Sequence, residues 1–429
     1  MANYFTSLFG FPEDNYSAAR ELLLKMATFE AVDANRYYPA EKCTFRLDNH
    51  SRTSVSAGIF SFPSVQELRS RVQEAVTNKD RSTSDNSKLT LTAGQIRIQN
   101  VVGEARSLHR SELGAGAVVQ AASQFNLLEF PSASSVPENG ISGYAFDHTQ
   151  GPACAMACAA GTAYRNYLVP VPFGPHVVKG QTAARGQTRD NQLNGLGDVE
   201  TYLTQETSLK EVPWKVRNGY IESSELLLTP FNELLNSNTM TDNADSCSPL
   251  EEAIMARLRI GVQEHASVTD GFKWQQTVTQ TYNSAVSIGY SRVPASVWEP
   301  LARLVLRATY EATLLVGVLA TLEQAASQHE TPKKTNYPLL TCCRGARDTG
   351  RSTHTDGPDP ASNTSSDLPP ILLTKVGGGV FANKDEWIVD AIEHAAKRVS
   401  VYGVDLDVKI VHFGVVDTRY CSLSGLLKK

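Results

Sequence analysis

Three consecutive glycines, Gly377, Gly378 and Gly379, close an apolar run that begins at Ile371, and Val380, Phe381 and Asn383 follow them. Lys384, Asp385, Glu386 and Trp387 then open a helical pattern. Residues without a β-carbon let backbone N–H groups close on a ligand that side chains would block. N–H groups pointing out of a loop that feeds a helix form a hollow suited to a phosphate. The same glycines would also serve a plain turn that needs only positive φ. A second element of this kind lies upstream, where Asp147, His148, Thr149, Gln150, Gly151 and Pro152 lead into an alanine-rich run from Ala153 to Tyr167. Pro152 suits a first helical position, and the run behind it is a strong helix former. Two glycine-bearing helix starts could hold two phosphates, which points to a nucleoside-diphosphate type of ligand.

The elements that must position these residues are legible as strands alternating with helices. Strand character starts near Leu89 and ends at Val102, Gly103 and Glu104. Ala117 to Ser123 is a short apolar run of central-strand type that opens into Gln124, Phe125 and Asn126. Val278 to Tyr290 resumes the sheet pattern, Ser296 to Ser327 predicts a long helix, and Leu406 to Gly414 a last strand holding Phe413. Ligands of open α/β sheets bind outside the carboxyl ends of the strands, which is where Glu104, Asn126, Asp147 and the triple glycine all fall. Residues 1–90 predict a helical N-terminal extension, with apolar positions at helical spacing from Ala18 to Met26. Ser64 and Glu67 there form a capping-box pattern ahead of Leu68, Val72 and Val76. Residues 91–429 predict an α/β domain, interrupted by a polar insertion at about 180–250 and a flexible loop at about 328–368.

Composition narrows the classes. The 429 residues carry a net charge of −5 with 41% hydrophobic and 20% charged residues, and the basic residues are dispersed. A soluble globular protein fits, and a nucleic acid does not suit it as partner. The seven cysteines have no metal-ligand spacing, so reduced thiols in a cytoplasmic setting and no metal site are expected. The N-terminus lacks the basic segment and apolar run of a signal peptide, and Leu301 to Leu322, interrupted by Arg303, Arg307 and Glu311, reads as a buried amphipathic helix and not as a membrane span. No serine or cysteine nucleophile has a suitable context, and neither a dinucleotide-binding glycine pattern nor a phosphate-loop lysine is present.

In their order along the chain these segments resemble the macrodomain superfamily, in a divergent branch similar to effector-type ADP-ribosyl hydrolases of the poly(ADP-ribose) glycohydrolase-like kind. Val118 to Asn126 resembles the macrodomain strand that ends at an asparagine-bearing loop. Asp147 to Ala153 resembles the first, catalytic loop, and Val376 to Asn383 the second phosphate loop. Gly103 and Glu104 are placed like the Gly-Asp pair that contacts adenine, with glutamate replacing the usual aspartate. The resemblance implies a three-layer α/β/α fold with a mixed central sheet, and ADP-ribose as ligand without a cofactor.

The roles it implies follow residue by residue. Glu104 would accept from the adenine amino group, and Phe413 would stack on adenine unless it is a core aromatic. Gly377, Gly378, Gly379 and Val380 would give N–H bonds to phosphate, and Phe381 would lie against the distal ribose unless it simply packs in the core. Asn126 would hold distal ribose hydroxyls, against the alternative of capping its own loop, and Gln150 and Gly151 would support the substrate through amide groups. Asp147 would orient and deprotonate a water at the anomeric carbon and stabilise an oxocarbenium-like state, against the alternative of a helix cap. Glu311 is a second candidate acid, with a structural salt bridge such as one to Arg307 as its other reading; Glu264 or Asp270 could supply a further acid. The implied partner is ADP-ribose or an ADP-ribosylated protein, with an arginine-modified, ubiquitin-like target among the options. A non-catalytic reader of the modification and an unrelated α/β interaction protein are the alternatives.

Overall fold

The computed structural model describes residues 4–32, 39–48, 53–82, 93–173, 184–238, 247–270, 276–329 and 368–425. Its centre is one nine-stranded sheet built from β1 (Ala27–Val32), β2 (Ala40–Arg46), β3 (Ser54–Ser61), β4 (Ile96–Val102), β5 (Val118–Ala122), β6 (Gly261–Ser267), β7 (Thr277–Asn283), β8 (Pro370–Leu373) and β9 (Leu406–His412). The order across it is β1-β2-β3-β6-β7-β5-β8-β9-β4. From β7 through β5, β8 and β9 to β4 every pair is parallel, and from β7 back to β1 every pair is antiparallel. The sheet is therefore mixed. Its parallel half carries all its carboxyl ends along one edge.

Helices cover both faces. The long helix Ala295–His329 packs with Val65–Ser82, Pro249–Arg257 and Asp385–Ser400 on one side. Ala105–Arg110, Gln150–Ala157 and Ala159–Ala163 lie on the other. Asp385–Ser400 illustrates why such helices form where they do. Trp387, Ile388, Ala391, Ile392, Ala395, Ala396 and Val399 are buried at helical spacing, acids occupy its first turn, and Lys397 and Arg398 its last. The long helix is apolar enough to cross a membrane by length and composition alone, but 83% of its most apolar window is buried inside the protein.

The α/β class and mixed sheet agree with the sequence reading, and several details differ from it. Residues 1–90 are not a helical extension. Helices Tyr4–Phe9, Tyr16–Met26 and Val65–Ser82 are present, but β1, β2 and β3 lie between them and widen the main sheet. The signal was there: in β2 the alternate residues Cys43 and Phe45 face the core, as a half-buried strand requires. The Ser64–Glu67 capping box forms as expected, with the Glu67 N–H donating to Ser64 Oγ and the Ser64 N–H to the Glu67 carboxylate at 2.8 Å.

The alanine-rich run is not one helix either. Gln150–Ala157 stops at Cys158, whose φ and ψ are −123° and 58°, before Ala159–Ala163 and a wide turn at Tyr164–Leu168. The insertion contains helices Gly197–Glu206 and Glu225–Ser237 and a small hairpin, Lys215–Arg217 with Tyr220–Glu222. Its Trp214, Tyr220, Leu228 and Phe231 are buried, so it belongs to the folded body. Most of the segment read as a flexible loop at 328–368 lies outside the described residues.

Candidate functional site

A cleft of about 470 Å³ runs along the carboxyl edge of the parallel strands. Each strand delivers part of its lining. Gly103 and Glu104 follow β4, Phe413 follows β9, and Thr374 to Phe381 follow β8. Ser123 and Gln124 follow β5, as does the loop Asp147 to Ala153, and Ala285 and Tyr290 follow β7. Adjacent strands are about 4.8 Å apart, so the four steps from β4 to β7 give the cleft a length of roughly 19 Å. The two glycine-bearing turns thus meet over one sheet edge.

In the triple-glycine turn, Gly377 has φ +73°, and an added β-carbon would meet the Ala285 β-carbon at 2.5 Å and Asn383 Nδ2 at 2.7 Å. Glycine is required there. Asn383 braces the turn from behind, donating from Nδ2 to the carbonyls of Val286 at 2.8 Å and Gly377 at 3.2 Å. Tyr310 on the long helix braces its entrance, donating to the Thr374 carbonyl and accepting from the Val376 N–H. The Gly378 N–H is committed inside the turn, to the Lys375 carbonyl at 3.0 Å. The N–H groups of Gly377, Gly379, Val380 and Phe381 have no acceptor among the described residues. Four donors therefore remain for a ligand, one of them from Phe381 in place of the expected Gly378.

The upstream turn is built by complementary means. Asp147 closes the short turn Ser142–Phe146, and its Oδ1 accepts from the Thr149 N–H at 2.8 Å and the Thr149 hydroxyl at 2.6 Å. Asp147 Oδ2 has no hydrogen bond to the described residues. Because Thr149 turns its hydroxyl to Asp147, the helix Gln150–Ala157 has no side-chain cap, and the N–H groups of Gln150 and Gly151 have no acceptor among the described residues. The Gln150 side chain is fully engaged elsewhere: Oε1 accepts from Ala122 N at 2.8 Å, and Nε2 donates to the Gln120 carbonyl at 2.8 Å and to Cys154 Sγ at 3.1 Å. Any support that Gln150 gives a ligand comes from its main chain.

Glu104 lines the other end of the cleft and caps the helix Ala105–Arg110, accepting from the N–H groups of Arg106 and Ser107 and from the Ser107 hydroxyl. Burial acts to raise its pKa, but those bonds and the Arg106 charge outweigh it and hold the carboxyl below its ordinary value. Phe413 is not a core aromatic: it is 83% exposed, at the rim of the cleft. Phe381 is 9% exposed and packs its ring against Tyr220 and Tyr290, with centroids 5.5 and 5.9 Å away. What Phe381 offers the cleft is mostly its backbone.

Two candidate catalytic residues are not at the cleft. Asn126 is fully buried, because its loop is pinned from several sides. Its Nδ2 donates to Gln192 Oε1 at 2.8 Å, its Oδ1 accepts from Leu128 N, and its carbonyl accepts from Gln187. Arg165 holds the same loop at the Leu127 carbonyl and pairs with Glu129, both side chains 0% exposed. Glu311 lies on the opposite side of the long helix, held by Arg69 through two bonds of 2.7 and 2.9 Å. Glu311 thus makes a salt bridge, but with Arg69 and not with Arg307, which pairs with Asp390. Glu264 pairs with Arg71 and Asp270 with Arg106, and neither lines the cleft.

The sequence reading also missed contributors. Tyr220 comes from the insertion, just after the turn residues Asn218 and Gly219, both at positive φ. The sequence pattern runs through Tyr290 as strand, but the strand ends at Asn283 and Tyr290 lies in the loop beyond it. His109, fully buried in the cleft floor, has Nδ1 at 2.7 Å from the Ala105 carbonyl and Nε2 at 2.9 Å from Gln280 Nε2. That network assigns the proton to Nδ1, and burial pushes the imidazole pKa below its ordinary value. Among the described residues Lys375 is the one lysine or arginine in the lining, and it is paired with Asp417 at 3.4 Å and Asp385 at 3.7 Å. An anion entering the cleft would thus be met chiefly by backbone N–H groups.

No protein family, curated protein or solved structure matches the chain.

Proposed function

We propose that the cleft binds ADP-ribose and that the protein hydrolyses the bond joining it to a modified protein side chain, with an arginine linkage the first to test. The observation that carries this reading is the meeting, in one elongated cleft, of two groups of unpaired N–H donors with an unengaged oxygen of Asp147. The donors at Gln150 and Gly151 and those at Gly377, Gly379, Val380 and Phe381 would share the diphosphate. Adenine would take the end with Glu104 and Phe413, which leaves the second ribose to the end with Asp147. Oδ2 of Asp147 would accept a proton from a water as its oxygen bonds to the anomeric carbon and the bond to the side-chain nitrogen breaks. The proton passes to the leaving nitrogen, and the carboxylate's charge stabilises the oxocarbenium-like state between.

The test is incubation with mono-ADP-ribosylated proteins of defined linkage, following free ADP-ribose. Wild type should release it, and Asp147→Asn should lower the rate by a factor of about 100 or more while free ADP-ribose still binds. Asparagine keeps the Oδ1 acceptor that Thr149 needs, so the turn should persist.

One observation favours the second reading, a reader of the modification. With Asn126 and Glu311 engaged elsewhere, Asp147 is, among the described residues, the one candidate catalytic residue left at the second-ribose end. Tight binding without release from any linkage would decide for the reader.

A further inference from the structure

The end of the cleft nearest Asp147 is walled by three aromatic rings. Tyr220 and Tyr290 lie with centroids 5.3 Å apart at 73°, and Tyr290 stands at 90° to Phe381. Tyr220 is 2% exposed and Phe381 9%, whereas Tyr290 is 48% exposed. Two rings form a backing, and the third presents itself to the cleft.

Tyr290 is also held in register with the glycine turn. The Gly289 N–H donates to the Phe381 carbonyl at 3.0 Å, and a β-carbon on Gly289 would meet the Val380 carbonyl oxygen at 2.2 Å. On its other side, Ser291 N donates to the Ile288 carbonyl and Trp298 Nε1 to Ser291 Oγ at 3.0 Å. These bonds hold the backbone at Tyr290 beside the N–H donors, and the ring rests against Tyr220 and Phe381. Its hydroxyl has no partner among the described residues. The loop of Asp147 meets this same end: a β-carbon on Gly151 would lie 3.3 Å from Glu129 Cγ, next to the Phe130 carbonyl to which the Tyr220 hydroxyl donates.

Resting on the reading above, we infer that Tyr290, and not Phe381, is the specificity-determining platform for the second sugar, so that the cleft distinguishes a nucleoside diphosphate bearing a terminal sugar from one without. An aromatic face beside a carboxylate suits a sugar ring: the apolar face of the ring lies on the aromatic, and its hydroxyls donate to the acid. Bare phosphate ends offer neither surface. Tyr290 is a positioning residue for the scissile bond, because a ring seated on it turns its edge to Asp147.

The experiment compares calorimetric affinities for ADP-ribose and ADP in wild type, Tyr290→Ala and Tyr290→Phe. Tyr290→Ala should weaken ADP-ribose about tenfold, the scale of an aromatic contact, and leave ADP within about twofold, so that ADP also reports an intact fold. Tyr290→Phe should bind both ligands like wild type. Equal weakening of both ligands by Tyr290→Ala, or no weakening, overturns the platform. Loss of ADP-ribose affinity in Tyr290→Phe also overturns it, by assigning recognition to the hydroxyl. If wild type binds neither ligand, the proposed function falls first and the platform with it; if wild type binds both and the variants do not discriminate, only the platform falls.

Discussion

Gly151 sits directly on Ala122: a β-carbon at Gly151 would lie 1.9 Å from the Ala122 carbonyl oxygen. The Gln150 amide seals the same junction by bonding Ala122 N and the Gln120 carbonyl, both within β5 and past the residues that β8 pairs. Together they fix where the unpaired N–H groups of this helix point. Gly151→Ala must push the helix off the strand, and overpacking of this kind costs about 1–3 kcal/mol. Urea unfolding should register that loss. Gly143→Ala, where an added carbon meets nothing within 4 Å, should stay within about 0.5 kcal/mol of wild type.

Glu311 separates stability from function. Its carboxylate is 2% exposed and held by Arg69, itself 11% exposed, which also reaches Glu252. Glu311→Ala leaves a nearly buried guanidinium short of its partner, a loss of about 3 kcal/mol. Because the pair lies across the long helix from the cleft, ADP-ribose affinity measured well below the unfolding transition should be unchanged. A fall in affinity without a fall in stability would return Glu311 to the site.

How much of this was legible in the sequence follows from the kind of signal each residue leaves. Gly377 and Gly151 could be found because close approach and positive φ demand glycine, and that demand is visible in a single residue. Their convergence over one sheet edge followed from placing both after strands of an α/β pattern. Asn126 misled because its position after β5 was right, whereas its side chain is consumed by Gln192, from a segment 66 residues away. Glu311 misled for the same reason: an acid in an apolar helix signals that a partner is needed, not which partner. Tyr220 left almost no signal, since only tertiary packing brings the insertion back to the cleft. β1 to β3 leave a faint signal, because the two-residue alternation at Cys43 and Phe45 is short and lies between segments of helical spacing.

His109 sets a pH dependence of stability. Burial lowers its pKa from 6.5, so the folded protein keeps the neutral imidazole that donates to Ala105 and accepts from Gln280. As pH falls through about 6.5 the unfolded chain binds a proton that the folded chain refuses. Stability is therefore full above that pH and is lost as pH falls toward the depressed folded value. His394 and His412 are shifted in the same direction, also first by burial. Denaturant midpoints should drop between about pH 7.5 and about pH 5.5, and His109→Gln should flatten the drop without abolishing it. An equal drop in the variant would assign the effect to other groups.

Asn383 tests whether the triple-glycine turn is prearranged for an anion. Its side chain, 4% exposed, donates to both Val286 and Gly377 and so ties the loop after β7 to the loop after β8. Asn383→Ala leaves those carbonyls unpaired at a buried junction, which costs about 1–3 kcal/mol. If the unpaired N–H groups of Gly377, Gly379, Val380 and Phe381 owe their common direction to this tie, the variant must also reorder them before binding, and ADP affinity should fall about tenfold. Glu311→Ala supplies the comparison, since it loses as much stability but should bind ADP normally. Asn383→Asp should be no better than Asn383→Ala, because a carboxylate cannot donate to either carbonyl and would face ligand phosphates with like charge. Calorimetry on all three variants, at a temperature where each is folded, reads the contrast. If Asn383→Ala binds ADP as tightly as Glu311→Ala does, the N–H groups do not depend on this brace, and the turn is no prearranged anion cradle.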